Sequence, residues 1–162
     1  MPTPEELKNI ASDRKRDNSV LFRKLKRKKP SDLDLTVKSL HRKVFEKIDC
    51  LECANCCKTI SPILIDKDIQ RISKKLKIKL SEFADYYLKE DVEGDFVFKE
   101  SPCPFLMSDN YCSIYEVRPR ACREYPHTDR KRFFQILDLT LKNTYVCPAV
   151  LEIVAELKKK HM

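Results

Sequence analysis

Residues 50–57 read Cys50-Leu51-Glu52-Cys53-Ala54-Asn55-Cys56-Cys57, which places four thiols within eight positions. Both sulfurs of a C-x2-C pair can reach one ion from a tight turn, and thiolates are soft ligands that suit zinc, Cu(I) or iron–sulfur clusters. Cys53 belongs to two such overlapping pairs. A cysteine that only fills a hydrophobic core behaves as a small apolar residue and does not need this crowding. The segment therefore predicts a metal or cluster site.

Four further cysteines complete the candidate ligand set, and each is expected at a turn or a helix end. They are Cys103, Cys112, Cys122 and Cys147. Cys103 lies between two prolines, and Cys147 is expected at the start of the last helix, where N–H groups lower the pKa of a thiol. Eight thiols are enough for two four-thiolate sites, and the spacing leaves one site or two open.

The adjacent pair at the end of the motif constrains how the ligands are shared. Side chains of neighbours such as Cys56 and Cys57 point about 100° apart in a helix, so we expect that one small ion does not take both. The favoured arrangement combines cysteines of the motif with later ones. Such a site staples residues 48–58 to a hairpin and to the last helix.

Composition excludes several function classes. The chain of 162 residues has one glycine, Gly94, so neither a Walker A loop nor a dinucleotide fingerprint is present. There is also no H-E-x-x-H and no glycine-flanked nucleophile, and no catalytic residue is indicated. The start of the chain lacks a signal-peptide pattern, and no apolar run is long enough to cross a membrane. These features predict a cytoplasmic protein, where thiols stay reduced and disulfides are disfavoured.

The net charge of +8 arises at the N-terminal end. Residues 14–29 carry nine Lys and Arg side chains against Asp17, and the rest of the chain is balanced. Residues 1–30 are predicted to form a loosely docked, separable basic helical arm, with residues 31–162 as the cysteine-cluster metal-binding domain. The arm either is a solvated helix face or contacts nucleic acid or another acidic partner.

The fold class predicted is mainly α with a small β-hairpin, an irregular α+β domain stapled by metal or cluster. One helix is expected over residues 3–29, because Thr3 and Glu6 form a capping box with Pro4 at the first helical position. A second helix is expected to start at Ser31 and run into Cys50. Residues 96–98 are predicted as a strand, a hairpin is expected around Asp109-Asn110, and residues 148–160 read as a final helix.

The motif of residues 50–57, Cys-Pro-Phe-Leu from Cys103, and the run from Tyr111 to Pro126 (YCSIYEVRPRACREYP) together resemble the YkgJ-type cysteine-cluster family. The resemblance covers about residues 48–150 and implies a zinc- or iron-chelating domain. A similar cluster occurs in flagellin lysine methylases, which are associated with an iron–sulfur centre.

Several cations stand close in sequence to Cys122 and are candidates to offset thiolate charge: Arg118, Arg120 and Arg123. They are equally compatible with a solvated surface. His127 is a further candidate ligand, although a lone histidine after a turn is more often a surface residue.

Three function classes stay open at this point. The first is a protein that chelates zinc or iron, including an iron–sulfur cluster, through thiolates. The second is an iron–sulfur-dependent enzyme, with methyl transfer suggested only by the resemblance to the flagellin methylases. The third is a nucleic-acid-binding module that uses the basic residues 14–29.

Overall fold

The computed structural model describes residues 1–161, and the chain divides into two compact units. Unit 1 comprises Met1–Asn55 together with the segment that begins at Pro126, and unit 2 is Cys56–Tyr125. In chain order, the elements are α1 (Pro4–Asp13), α2 (Lys15–Lys28), α3 (Leu33–Phe45), α4 (Cys50–Cys53), α5 (Asn55–Thr59), α6 (Asp66–Leu76), α7 (Leu80–Tyr87), β1 (Leu88–Glu90), β2 (Phe96–Phe98), α8 (Arg120–Glu124), α9 (Leu137–Asn143) and α10 (Pro148–His161). Short 3-10 helices lie at Tyr115–Val117 and Phe133–Ile136.

Unit 1 is organised around α10, which packs against α2, α3 and α9. Its apolar residues are almost fully buried because they face several neighbouring helices at once: Ala149, Val150, Ile153, Val154 and Leu157. The predicted final helix is therefore confirmed. Asp34 of α3 accepts hydrogen bonds from the backbone N–H groups of Arg132 (2.6 Å) and Phe133 (2.9 Å), which fixes the segment that leads into α9.

The N-terminal basic segment is more tightly packed than the sequence predicts. The capping box forms, with the Glu6 N–H donating to the Thr3 hydroxyl at 3.2 Å, but Arg14 divides the predicted single helix into α1 and α2. Leu7 and Leu21 are both 0 % exposed. The expectation of a loosely docked arm is wrong, because the apolar stripe of the arm belongs to the core of unit 1.

The second helix also ends earlier than expected. It stops at Phe45, and the backbone then turns through residues 46–49 before α4 begins at Cys50. Asp49 caps α4 by accepting a hydrogen bond from the Leu51 N–H at 2.8 Å. A cap at this position starts a new helix, which is why α3 does not run into the cysteine motif.

Unit 2 has its own core, formed by α6, α7 and a small sheet. Phe83 and Ile72 are both 0 % exposed and belong to one hydrophobic cluster, against which Cys103 and Cys112 pack. Strands β1 and β2 pair antiparallel, with Leu88 opposite Phe98. This core gives the cysteines of unit 2 a rigid apolar support.

The structure confirms the predicted strand, adds its partner and places the predicted turn at Asp109-Asn110. The strand at Phe96–Phe98 is confirmed. Its partner is β1, which was not predicted because the residues around Tyr86-Tyr87 follow a helical pattern. The hairpin turn expected around Asp109-Asn110 is confirmed, because an antiparallel bridge joins Leu106 to Cys112 and the Met107 N–H donates to the Tyr111 carbonyl at 2.8 Å, although the pairing is too short to form strands. Two prolines near Cys103 remove backbone donors that a longer ladder needs.

The fold class is confirmed as mainly α with a small two-stranded antiparallel hairpin. Within the described residues, no helix combines the length and the apolar character needed to traverse a bilayer. Stapling by metal and the division of the chain at residue 30 stay predictions.

Candidate metal centre

Unit 2 contains the last two cysteines of the motif, Cys56 and Cys57, and three later cysteines, Cys103, Cys112 and Cys122. Cys57 lies on α5, and its carbonyl accepts a hydrogen bond from the Cys103 N–H at 2.8 Å. Cys112 lies on the isolated bridge with Leu106, directly after the turn that follows Cys103 in the chain. Cys122 lies on α8. Backbone pairing therefore joins the Cys57 and Cys103 segments, which are 46 residues apart in the sequence, and Cys122 lies in the same unit.

Burial is the main influence on the ionisation of the later thiols of unit 2. The pKa of Cys122 is raised to about 12, mainly by burial and to a smaller extent by the charges of Cys57, Cys103 and Cys112. Burial raises the pKa of Cys103 to about 11, with added contributions from Cys57 and Cys112. Without a cation, such a group of thiols stays mostly protonated, because packing several thiolates together in a buried site is unfavourable.

Backbone N–H groups are nevertheless aimed at several of these sulfurs. The N–H groups of Phe105 and Leu106 donate to Cys103, and the N–H of Ile114 donates to Cys112. A hydrogen bond to sulfur favours the thiolate over the thiol. Donors two and three residues after a cysteine orient a thiolate for a metal, which an inert core cysteine does not require.

The adjacent pair Cys56 and Cys57 behaves differently from the sequence-based expectation. Their sulfurs are 4.0 Å apart. Two ligands of a tetrahedral zinc site are about 3.8 Å apart, as follows from Zn–S bonds of about 2.3 Å. The prediction that the two side chains diverge too far to share an ion is therefore wrong on distance. The hydrogen bond from Cys56 is the largest cause that lowers the pKa of Cys57 to about 7.

Unit 1 contains Cys50 and Cys53, at the start of the motif, together with Cys147. Cys50 and Cys53 lie on the single turn of α4, three residues apart and therefore on one face. The turn ends at Ala54, which is in the left-handed conformation (φ 48°). Cys147 directly precedes α10 and is 9 % exposed, and the charges of Cys50 and Cys53 act on it.

The pKa of Cys147 corrects a prediction. The helix start was expected to lower it, and the N–H groups of Ala149 and Val150 do donate to the sulfur. Burial outweighs them and raises the pKa of Cys147 to about 12. The helix start therefore supplies oriented donors, while the apolar surroundings keep the thiol protonated.

The three candidate arginines differ in what they contact. The Arg118 guanidinium lies 3.8 Å from the Tyr115 ring centroid, and its charge lowers the pKa of Cys112 and of Cys122 against the dominant effect of burial. Arg120 is exposed and pairs with Glu124 at 2.6 Å. Arg123 is exposed on the wall of an open cavity of about 440 Å³. The structure thus brings Arg118 to the thiols.

A buried carboxylate, which the sequence pattern did not single out, positions the Cys122 segment. Asp68 is 1 % exposed, and its Oδ1 accepts hydrogen bonds from the Arg71 guanidinium (2.6 Å) and from the Arg120 N–H (3.1 Å). Arg71 also donates to the carbonyls of Val117 (3.3 Å) and Arg118 (2.8 Å). The pair therefore holds residues 117–120 directly ahead of Cys122. The sequence signal was an acidic residue on the apolar face of α6, one position before Ile69.

Histidine adds little to the thiol groups. His127 lies in unit 1 with a positive φ of 67°, and the His41 ring nitrogen Nδ1 forms a 2.7 Å hydrogen bond with the Thr128 hydroxyl. Across residues 1–161, no group of three or more His, Cys, Asp or Glu side chains is arranged so that it could hold a metal ion. The donor set that the two units offer consists of thiols, which is the chemistry of zinc and iron–sulfur ligation.

The raised thiol pKa values predict that the metal-free protein loses stability at alkaline pH. Below the ordinary thiol pKa of 9.0, Cys103, Cys122 and Cys147 are protonated in both states, so their contribution is fully present. Between 9 and the folded values of about 11 to 12, only the unfolded chain ionises. The free energy of unfolding should then fall by about 1.4 kcal/mol per pH unit for each group.

Urea denaturation of reduced, chelator-treated protein between pH 8 and 10.5 measures this slope. The variant Cys147→Ala removes one of the groups, so its slope should be shallower than that of the wild type. Equal slopes in the two proteins would contradict the pKa shift of Cys147.

Comparison with known proteins identifies one family. The family model CxxCxxCC, described as "Putative zinc- or iron-chelating domain", matches residues 49–148, a span that includes all eight cysteines. No solved structure matches the chain significantly.

Proposed function

Because the chain belongs to the CxxCxxCC family of zinc- or iron-chelating domains, we propose that it binds its metal through thiolates of the eight cysteines. The observation that carries the proposal is the set of backbone N–H groups directed at buried sulfurs. Cys103 and Cys147 each receive two such donors although burial keeps their pKa high. Buried donors aimed at protonated thiols become favourable when a cation replaces the protons.

Zinc and iron both suit this ligand set. A zinc ion takes four thiolates in a tetrahedral site, and a [4Fe–4S] cluster is also held by four. Arg118 lies where it offsets the negative charge of such a centre, because its charge already acts on Cys112 and Cys122. Arg120 and Arg123 are proposed to contribute more weakly, since both are exposed.

Anaerobic purification followed by metal analysis and an absorption spectrum tests the proposal. Bound zinc gives a colourless protein, and an iron–sulfur cluster gives a brown one with visible absorption. A purified, reduced protein that holds neither metal, and takes up neither after reconstitution, would show that the thiols are not ligands.

A second function is suggested by exposed cations that lie along α2. The last turn of α10 lies against α2, since Lys158 pairs with Asp17 and Lys24 donates to the His161 carbonyl. Asp138 pairs with Lys26 and Asp17 pairs with Lys158, and five further cations of α2 are exposed: Lys15, Arg16, Arg23, Arg27 and Lys28. We propose that this surface contacts the phosphate backbone of duplex nucleic acid.

Two observations favour nucleic acid over a membrane and duplex over single strands. The apolar face of α2 is buried (Leu21, Phe22 and Leu25), so the helix cannot insert that face into lipid. Among the residues of α2, no exposed aromatic side chain is available to stack on a base. Contacts to phosphates alone are typical of binding without sequence preference.

The predicted result is salt-dependent binding that disappears when one face of α2 loses its charge. Arg16, Arg23 and Arg27 lie on one face of the helix, so the triple change to Gln should lower the salt slope of duplex DNA or RNA binding by about 3. The matched control Lys67→Gln, Lys74→Gln and Lys75→Gln removes the same charge from α6. Equal losses in both triple variants would mean that net charge, not this surface, drives binding.

A further inference from the structure

We propose that an open cavity in unit 2 binds the phosphoryl group of a small phosphate monoester. The cavity has a volume of about 440 Å³, and residues at the start of α6 and on α8 form its walls. Six of its seven lining residues are charged: Ile65, Asp66, Lys67, Asp68, Arg71, Arg120 and Arg123. All of them belong to unit 2 and none is a cysteine, so the proposal does not rest on metal binding.

Two of the charged lining residues neutralise each other and are committed to the fold. The two oxygens of Asp68 accept hydrogen bonds from the Arg71 guanidinium and from two backbone N–H groups. Arg71 also donates to the carbonyls of Lys67, Val117 and Arg118. The pair therefore fixes the wall of the cavity, and a ligand meets the charges of the other lining residues.

Those other residues carry an excess of positive charge. Lys67, Arg120 and Arg123 are exposed cations on the walls, and they face the exposed carboxylate of Asp66. Among the described residues, neither Lys67 nor Arg123 forms an ion pair. Arg120 pairs with Glu124, but the two side chains are 63 % and 49 % exposed, and such a surface pair is worth little. The cavity therefore attracts an anion.

The two arginines of α8 are arranged to bind one group together. Arg120 and Arg123 are three residues apart on the helix, so their side chains leave it on the same face. The Arg120 N–H donates to Asp68 Oδ1 at 3.1 Å, which fixes the start of α8 against α6. A guanidinium is a planar fork that binds phosphate oxygens in pairs, and it is less strongly hydrated than an ammonium group. Lys67 adds a third cation from α6.

Charge and size together select a phosphate monoester. A phosphoryl group on one ester bond carries a charge of about −1.5 to −2 at pH 7 and three acceptor oxygens, which matches a site with three cations. A phosphodiester carries only one negative charge and is matched less well. Cavities of about 300–1,000 Å³ hold small organic molecules, so there is room for more than the anion. The side chain of Ile65, 43 % exposed, offers an apolar contact to the organic part.

NMR titration of the isotope-labelled, full-length protein with ethyl phosphate tests the proposal, because it gives the affinity and locates the perturbed residues. Diethyl phosphate and inorganic phosphate are the comparison ligands, and ethyl phosphate should bind more tightly than either. Arg123→Gln should weaken ethyl phosphate binding about tenfold, which is typical for the loss of one hydrogen bond to a charged group. The matched control Lys74→Gln removes the same charge from an exposed position of α6 that does not line the cavity. Equal losses in the two variants, tighter binding of either comparison ligand, or no binding of ethyl phosphate would overturn the proposal.

The pH dependence of the wild type covers the case in which Arg123→Gln fails to fold. Ethyl phosphate takes up its second proton near pH 6, so its affinity should fall as the pH is lowered from about 7 to about 5.5. Sulfate is the control, because it keeps both negative charges over this range and should keep its affinity. An affinity for ethyl phosphate that does not change, or a parallel fall for sulfate, would show that the site does not recognise the dianionic phosphoryl group.

Discussion

Removal of the bound metal should lower the melting temperature of the reduced protein by about 10–20 °C, which corresponds to about 5 kcal/mol for a domain of this size. Structural zinc contributes about 10–16 kcal/mol of apparent binding free energy in small peptides, comparable to the net stability of a whole domain. The loss expected here is smaller because each unit retains an apolar core, with Leu157 and Phe83 both 0 % exposed.

Calorimetry of the protein before and after a strong chelator at neutral pH measures this effect. The control is the same chelator saturated with zinc, which keeps ionic strength and reagent constant. Unit 2 should lose more structure than unit 1, because Cys103 and Cys112 pack directly on its hydrophobic cluster. A melting temperature that stays within a few degrees would show that the metal is not structural.

Replacement of Asp68 by Asn should destabilise the protein by about 3 kcal/mol, at the lower end of the cost of breaking a buried ion pair. The lower end applies because the side chain of Arg71 is 30 % exposed, while that of Asp68 is 1 % exposed. One carboxylate oxygen accepts from Arg71 and Arg120, and the other accepts from the Ile65 N–H at 3.3 Å. An amide has one acceptor oxygen, so its NH2 group must face a donor.

The control is Asp66→Asn on the same helix. Asp66 is exposed in the first turn of α6 and should cost no more than about 1 kcal/mol through the helix dipole. Because Asp68 positions the segment before Cys122, its replacement should also weaken metal retention in unit 2, whereas Asp66→Asn should not. Urea denaturation and metal analysis of both variants measure this, and an Asp68→Asn protein as stable as the control would remove the positioning role.

Local chemistry explains the elements that sequence reasoning identified correctly. The capping box at Thr3 and Glu6 begins α1, and the apolar positions of residues 150–157 bury α10 as predicted. The errors have tertiary causes. Leu88 continues a helical pattern, but it lies in a strand and pairs with Phe98. The apolar stripe of α1 and α2 does not show by itself how tightly the two helices pack, which depends on the elements they contact.

The spacing of Cys50, Cys53, Cys56 and Cys57 by itself indicated ligation by thiolates, because each C-x2-C pair places two sulfurs within reach of one ion. Only the tertiary structure decided which later cysteines share a compact unit with which part of the motif. The Cys103 N–H donates to the Cys57 carbonyl, and the Asp68–Arg71 pair holds residues 117–120 ahead of Cys122, whereas Cys147 precedes α10 in the unit that contains Cys50 and Cys53. Ligand type is a property of residues close in sequence, whereas ligand grouping depends on contacts between distant segments, which no local pattern encodes.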